Sequence, residues 1–270
     1  FIAHLNMGYV SIKGLQFLVL DEADRMLDMG FQDDINRIIA QLPAKRQTLL
    51  FSATMPPKIR KLAQQILVNP VEINIAISRP PEKIVQRAFI VYEHQKLPLI
   101  KYLLTKTPYK SVLIFCSRKQ NVKVLTRMLK QNGFVVEEMH SDLLQSQREN
   151  VVNSFTSGRI PILVATDILS RGIDIDTIDL VINYDVPRDG EDYVHRIGRT
   201  ARAEADGMAF TLVGEKEQNS FSAIETLIDK EIEKAVLPQF LGEAPAWHPR
   251  KKSGNRKPQR KFYNRKPGQR

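Results

Sequence analysis

The chain has 270 residues, 43% of them hydrophobic, a single cysteine and a formal net charge of +10. That length suits one to three domains with substantial buried cores, and the apolar share is that expected of a soluble globular protein. No apolar run in these residues reaches the length of a membrane span, and no signal-peptide pattern is seen at the start.

In chain order, the opening Phe1 in place of Met suggests that residues precede it. "QFLVL" (16–20) predicts a strand that runs into Asp21-Glu22-Ala23-Asp24, three carboxylates in four positions. Acids after a strand commonly cap a following helix, and they also form the metal-holding end of nucleotide sites. Both readings stand on these residues alone. "FQDDINRIIAQL" (31–42) and "PKIRKLAQQIL" (57–67) have helical periodicity, while "QTLLFSAT" (47–54) and "VEINI" (71–75) predict strands. Pro80-Pro81 in "AISRPPEKIVQ" (76–86) marks a linker.

Beyond Lys110 short apolar runs alternate with helical patterns. "SVLIFC" (111–116), "FVVEEMH" (134–140), "PILVAT" (161–166), "LVINYD" (180–185) and "MAFTLV" (208–213) predict strands. "KQNVKVLTRMLKQNG" (119–133) and "QSQRENVVNSFTSG" (145–158) predict helices closed by Gly133 and Gly158. Strict alternation implies a parallel sheet with helices on both faces. Cys116 follows Val112-Leu113-Ile114-Phe115, which predicts a buried thiol in a reducing cytosol. "EKEQNSFSAIETLI" (215–228) sets Phe221, Ile224 and Ile228 on one helical face. Residues 250–270 hold ten Lys/Arg and no acid, so the first 249 residues balance at 30 charges of each sign. This tail, poor in aliphatics and carrying Phe262 and Tyr263, predicts disorder and polyanion binding.

Open α/β sheets bind ligands beyond the carboxyl ends of their strands. The acid and hydroxyl residues cluster there: the acids at 21–24, Ser52 and Thr54, Thr166-Asp167, and Asp185. A strand ending in Asp-Glu is the Walker-B arrangement, in which the Asp helps hold Mg²⁺ and the next carboxylate handles water.

With "DEAD" (21–24), "SAT" (52–54), "LIFCSRK" (113–119), "QSQRE" (145–149), "ATDILSRGIDI" (165–175) and "HRIGRTAR" (195–202) in that order, the chain resembles the DEAD-box RNA helicases of superfamily 2. Its extension and basic tail are most like the RhlE-type bacterial subgroup. The resemblance implies an α/β fold of tandem RecA-like parallel-sheet domains, the first incomplete, with a disordered basic tail. The expected divisions are 1–75 (part of the first domain), 76–89 (linker), 90–214 (second domain), 215–247 (helix and extension) and 248–270 (tail).

The resemblance also implies ATP and Mg²⁺ as cofactors and RNA as partner, in the cytoplasm. Asp21 would act on Mg²⁺ and Glu22 on the hydrolytic water. Asp24, Ser52, Thr54 and His195 would couple the nucleotide site to domain closure, and Arg199 and Arg202 would reach the γ-phosphate. Asp174 would contact the ribose. Arg118, Arg148 and Thr166 would touch RNA backbone, joined by tail residues such as Arg250, Lys251, Lys252, Arg260 and Lys261. "HRIGRTAR" spaces Arg196, Arg199 and Arg202 three apart, which predicts one cationic helical face.

Ala201, Ser141 and Arg118 depart from the commonest family residues. No Gly is followed by Lys, so the G-x-x-x-x-G-K-[ST] phosphate loop is not in these residues. Truncation at the N-terminus is the expected cause, and a chain that binds RNA without turnover is the expected result. The competing readings are a non-hydrolysing RNA-binding or annealing module and a DNA translocase.

Overall fold

The structure, a computed structural model, describes residues 1–52, 54–74, 84–167, 178–200 and 207–249. The chain divides into two compact units, residues 1–78 and 79–270. Pro80-Pro81, Arg171, Asp174, Ala201, Arg202 and the tail residues Arg250, Lys251, Lys252, Arg260 and Lys261 lie outside the described residues.

In the first unit, after a short helix α1 (Ile2–Asn6), strands β1 (Phe17–Leu20) and β2 (Gln47–Leu50) pair in parallel with Phe17 opposite Gln47. Helices α2 (Ala23–Asp28), α3 (Gln32–Ile39) and α4 (Pro57–Ile66) accompany them. Ile35, Leu62 and Ile66 form the core, with Leu20, Met26, Ile39 and Leu50 packed against it. Alternate residues on the strands, Phe17, Val19 and Leu49, together with Phe51, are exposed. The strand expected at 71–75 is not formed at 71–74. Val71 and Ile73 are exposed there, and apolar alternation makes no strand without an adjacent edge to satisfy its backbone.

The second unit is a seven-stranded, wholly parallel sheet in the order β5-β6-β4-β7-β8-β3-β9. The strands are β3 (Ile84–Val91), β4 (Val112–Phe115), β5 (Val136–Met139), β6 (Ile162–Ala165), β7 (Leu180–Asn183), β8 (Gly207–Gly214) and β9 (Glu233–Lys234). Helices α5 (Glu93–Lys106) and α6 (Lys119–Gln131) pack Leu99, Ile100, Val122, Leu125 and Leu129 on one face, against Val112 and Ile114 of β4. The opposite face takes Leu113 and Phe115 against Phe155 of α7 (Gln145–Thr156). Tyr193 and Ile197 of α8 (Gly190–Ile197), with Phe221, Ile224 and Ile228 of α9 (Gln218–Ile228), cover Ile84, Ala88 and Ile90. The expected two-faced cover is present, and strands alternate with helices except between β6 and β7, where residues 168–177 lie outside the described residues.

The expected linker is overrun by β3. From Ile84 the chain pairs along the whole of β8, burying Ile84, Gln86, Ala88 and the run to Val91. Two prolines in sequence drew the boundary too far, since a strand starts freely three residues beyond one.

After β9, residues 235–249 hold little regular structure and are fastened by two buried glutamines. Gln95 donates to the carbonyls of Leu241 and Glu243 at 2.8 and 2.9 Å. Gln218 donates to Ala246 O and accepts from the His248 N–H, both at 2.8 Å. Both glutamines open helices that follow strand ends, so their amides replace the missing sheet partner of the extension. Trp247 lies edge-on to Phe221, with the Lys234 ammonium 4.9 Å from its ring centre.

Candidate functional site

The first cluster is the turn after β1. Leu20 O accepts from Phe51 N at 2.7 Å and Phe51 O accepts from Ala23 N at 3.1 Å, so the turn at 21–24 is stitched to the end of β2. Glu22 sits in the left-handed region, with φ 48° and ψ 45°. A non-glycine residue there costs about 1–2 kcal/mol. Neither Asp21 nor Glu22 caps α2: among the described residues the exposed Asp21 accepts the Glu22 N–H at 2.9 Å, and Glu22 lies 3.9 Å from the Arg25 guanidinium. The capping alternative for these two acids is therefore removed.

Asp24 is different. It is 8% exposed and joins the two strand ends. Its carboxylate accepts from Arg25 N at 3.0 Å, Thr54 N at 2.9 Å and the Thr54 hydroxyl at 2.8 Å. Asp24 N donates to Ser52 Oγ at 3.2 Å, and Ser52 in turn donates to Thr54 O at 2.7 Å. Burial alone would raise the Asp24 carboxyl, but the Thr54 hydroxyl and the bonds from Thr54 N–H, Arg25 N–H and Ser52 hold it below its ordinary value. Asp24, Ser52 and Thr54 thus form one hydrogen-bonded joint.

Among the described residues no group of three or more His, Cys, Asp or Glu side chains assembles a metal site. Mg²⁺ at Asp21 fits only as an ion whose remaining ligands are nucleotide phosphate and water.

The second cluster lies at the carboxyl ends of β5, β6, β4 and β7, which are neighbours in the sheet. Arg118 follows β4, is exposed and occupies the N-cap position of α6. Thr166 follows β6, half-buried, and donates its N–H to Met139 O of β5 at 3.1 Å. Arg148, in the first turns of α7, donates to Ser141 O at 3.1 Å. These three candidates therefore come from adjacent strand ends.

Of the expected cationic helical face, Arg196 and Arg199 do not share one, and Arg202 lies outside the described residues. Helix α8 stops at Ile197, and Arg199 N and Thr200 N turn back to Arg196 O and Ile197 O. Arg196 is 1% exposed. Its guanidinium grips Asp167 through two bonds of 2.7 and 2.9 Å and donates to Asn183 Oδ1 at 3.3 Å and Asp185 O at 3.2 Å. Arg199 lies beyond the helix, half-buried, with its carbonyl accepting from Ile178 N at 3.3 Å. His195 is half-buried on α8. Three-residue spacing suggested a shared face, but the buried partners of Arg196 override it.

Sequence reading also missed Lys96. Its side chain is 3% exposed and its ammonium lies 3.1 Å from Glu93, 3.5 Å from Asp185 and 3.7 Å from Glu217. Burial would lower its pKa, yet Glu217, Asp185 and Glu93 together raise it. Asp185 also accepts the Ser117 N–H at 2.8 Å, so this pair fixes the loop that carries Arg118. On the far side of that loop Lys119 and Lys123 each approach Asp142 at 2.8 Å, drawing its carboxyl down to about 2. The isolated "D" after "INY" was the one available signal for the Lys96 hub.

Comparison with known proteins falls on these same segments. The family model described as DEAD/DEAH box helicase matches residues 1–62, and that described as helicase conserved C-terminal domain matches residues 95–204, together well over half of the chain. DEAD-box ATP-dependent RNA helicase 14 of Arabidopsis thaliana is 43% identical over 83% of this chain and 37% of its own length. ATP-dependent RNA helicase CshA of Listeria monocytogenes is 40% identical over 88% of this chain and 46% of its own. The chain thus spans less than half the length of either relative. A solved structure of S. cerevisiae Dbp5 bound to RNA and ADP BeF3 superposes with a TM-score of 0.79 at 32% identity, covering 87% of this chain and 63% of that one. The two parallel α/β units are of the tandem RecA-like kind seen in such neighbours. Because the two family matches fall on the two units in turn, each carrying its own strand-end cluster, the chain belongs to the DEAD-box RNA helicase family.

Proposed function

We propose that this chain is the part of an ATP-dependent RNA helicase that senses the nucleotide at one sheet and holds RNA backbone at the other. Such an enzyme couples ATP hydrolysis to closure of two RecA-like domains on RNA and to local opening of short duplexes. The observation that carries the reading is the Asp24 joint, which ties the turn bearing Asp21 and Glu22 to Ser52 and Thr54 at the next strand end. Relatives named as ATP-dependent RNA helicases, and the Dbp5 neighbour bound to RNA and ADP BeF3, support it.

In this reading Asp21 would help hold a nucleotide-bound Mg²⁺, and Glu22 would orient the attacking water. The ion supplies neutralisation of charge on the phosphates. Asp24, Ser52, Thr54 and His195 transmit the nucleotide state. Arg199 and Arg202 stabilise charge on the γ-phosphate, and Asp174 contacts the ribose. Arg118, Arg148 and Thr166, with the tail residues Arg250, Lys251, Lys252, Arg260 and Lys261, bind RNA backbone, giving salt-dependent affinity with little sequence preference. The working divisions are 1–75, 76–83, 84–214, 215–247 and 248–270, the expected boundary at 89–90 being moved so that β3 belongs to the second domain. The extension and basic tail support an RhlE-type bacterial assignment, and the reduced Cys116 a cytoplasmic one.

No Gly-Lys pair occurs in the 270 residues, so these residues supply no phosphate loop, and the chain by itself binds RNA without turnover. ATP hydrolysis measured with and without single-stranded RNA tests this. The expected result is RNA binding with no stimulated turnover. RNA-stimulated turnover abolished by Glu22→Gln would contradict the account of the phosphate grip.

A further inference from the structure

One buried cation gathers the exits of four neighbouring strands. β4, β7, β8 and β3 lie side by side in the second sheet. Lys96 stands in the first turns of α5, the helix that follows β3, and its side chain is 3% exposed, so water cannot replace what its ammonium meets. That ammonium lies 3.5 Å from Asp185, just beyond β7, and 3.7 Å from Glu217, just beyond β8. Both carboxylates also hold backbone N–H groups at strand exits. Asp185 turns Oδ1 to Lys96, while its Oδ2 accepts from Ser117 N at 2.8 Å, beyond β4, and from Asn121 Nδ2 at 3.4 Å. Glu217 accepts from Val186 N through Oε1 and from Gly214 N through Oε2, both at 3.0 Å.

The three acids round the ammonium are not equivalent. Glu93 is nearest at 3.1 Å, but its side chain is 75% exposed, and an ion pair so open to water contributes little. Asp185 and Glu217, 14% and 27% exposed, depend on the cation far more. Two partly buried carboxylates drawn to one point repel each other unless a positive charge sits between them. Removing the buried partner leaves that repulsion uncompensated. Asp185 then takes a proton or swings toward water, and Ser117 N–H loses its charged acceptor. The residue after Ser117 is Arg118, exposed at the N-cap position of α6.

We propose that Lys96 is a positioning residue for Arg118: through Asp185 and Ser117 N–H it fixes the loop from which Arg118 reaches RNA. The RNA half of this inference rests on the reading that Arg118 meets RNA backbone; the fixing of the loop does not. Lys96→Met keeps the length of the side chain and removes its charge, and Glu93→Gln is the control.

The test follows two readouts in the full 270-residue chain: hydrogen exchange of the Ser117 amide by NMR, and affinity for a short oligouridylate across salt concentration. Lys96→Met is expected to speed Ser117 exchange about tenfold and to weaken RNA binding about threefold with a shallower salt slope, changes of the size of one hydrogen bond. Glu93→Gln is expected to alter neither. The decisive comparison is the Lys96→Met, Arg118→Ala double variant, which should bind RNA no more weakly than Arg118→Ala alone, because Lys96 acts through Arg118. Losses that add in the double variant, or unchanged Ser117 exchange in Lys96→Met, would overturn the proposal. Should Lys96→Met not fold, Asp185→Asn carries the same test. Its amide has one oxygen, so its NH₂ faces either Ser117 N–H or the ammonium, and the same faster exchange and the same non-additivity with Arg118→Ala are expected. If the unaltered chain binds no RNA, or Arg118→Ala binds it equally well, the reading of Arg118 fails, and Ser117 exchange still decides whether Lys96 sets the loop.

Discussion

Asp24→Asn tests the joint between the DEAD turn and the Ser-Ala-Thr strand end. The carboxylate accepts from three donors, two on Thr54 and one on Arg25. An amide has one oxygen, and its NH₂ has to face a donor whichever way it turns. With the oxygen toward Thr54, the NH₂ opposes Arg25 N–H; with the oxygen toward Arg25, both Thr54 bonds are lost. Hydrogen bonds to a charged group are worth about 1.5–3 kcal/mol each, so the change should destabilise the turn by about 2–4 kcal/mol. Thr54→Val removes one bond and should cost about half as much.

Hydrogen exchange read by mass spectrometry on peptides spanning 20–28 and 47–56 is the assay, and about 30-fold faster exchange or more is expected for Asp24→Asn. Acid adds a second arm. The folded Asp24 carboxyl lies below its ordinary value of 3.8, so its stabilisation is complete above 3.8 and lost as pH falls through the lower folded value. Protection in the unaltered chain should fall in that window, while the Asn variant shows no such step. Unchanged exchange in Asp24→Asn would refute the joint.

Three further outcomes follow from the second unit. Gln218→Ala removes both bonds to Ala246 and His248 and should free the extension, seen as a red shift of the fluorescence of Trp247, the single tryptophan, with about 1–3 kcal/mol lost. Cys116 is fully buried and burial pushes its thiol well up, so it should resist a thiol reagent at neutral pH until the unit unfolds; prompt native-state labelling would contradict its placement. Arg118→Ala should lower RNA affinity and reduce the salt slope by about one counterion, without altering the thermal unfolding of the second unit.

Strands buried on both faces were plain in the sequence because they need continuous apolar runs, as in Val112-Leu113-Ile114-Phe115. Helices α6, α7 and α9 declared themselves by periodicity and by Gly133 and Gly158. Element β3 did not, since Pro80-Pro81 upstream suggested a linker and Gln86 and Arg87 broke its apolar run. Helix α5 was hidden by Pro98 in its interior and by Lys96, a charge whose burial is allowed by Glu93 one turn away and by Asp185 and Glu217 from distant segments.

The candidate site followed the same division. The acids and hydroxyls at strand ends were legible because parallel sheets gather such residues at one edge. The Arg196 grip on Asp167 was not, because the partners lie 29 residues apart and no periodicity relates them. The Asp24–Thr54 bonds could be placed only once β1 and β2 were seen to pair.

The central claim is that this chain holds RNA by its backbone, through cations at adjacent strand ends and in the basic tail. Affinity for single-stranded RNAs of differing sequence, titrated across salt concentration, tests it most directly. The account predicts a steep linear fall of log affinity with log salt and near-equal affinities for all sequences. Binding that ignores salt, or that selects one sequence strongly, would contradict it.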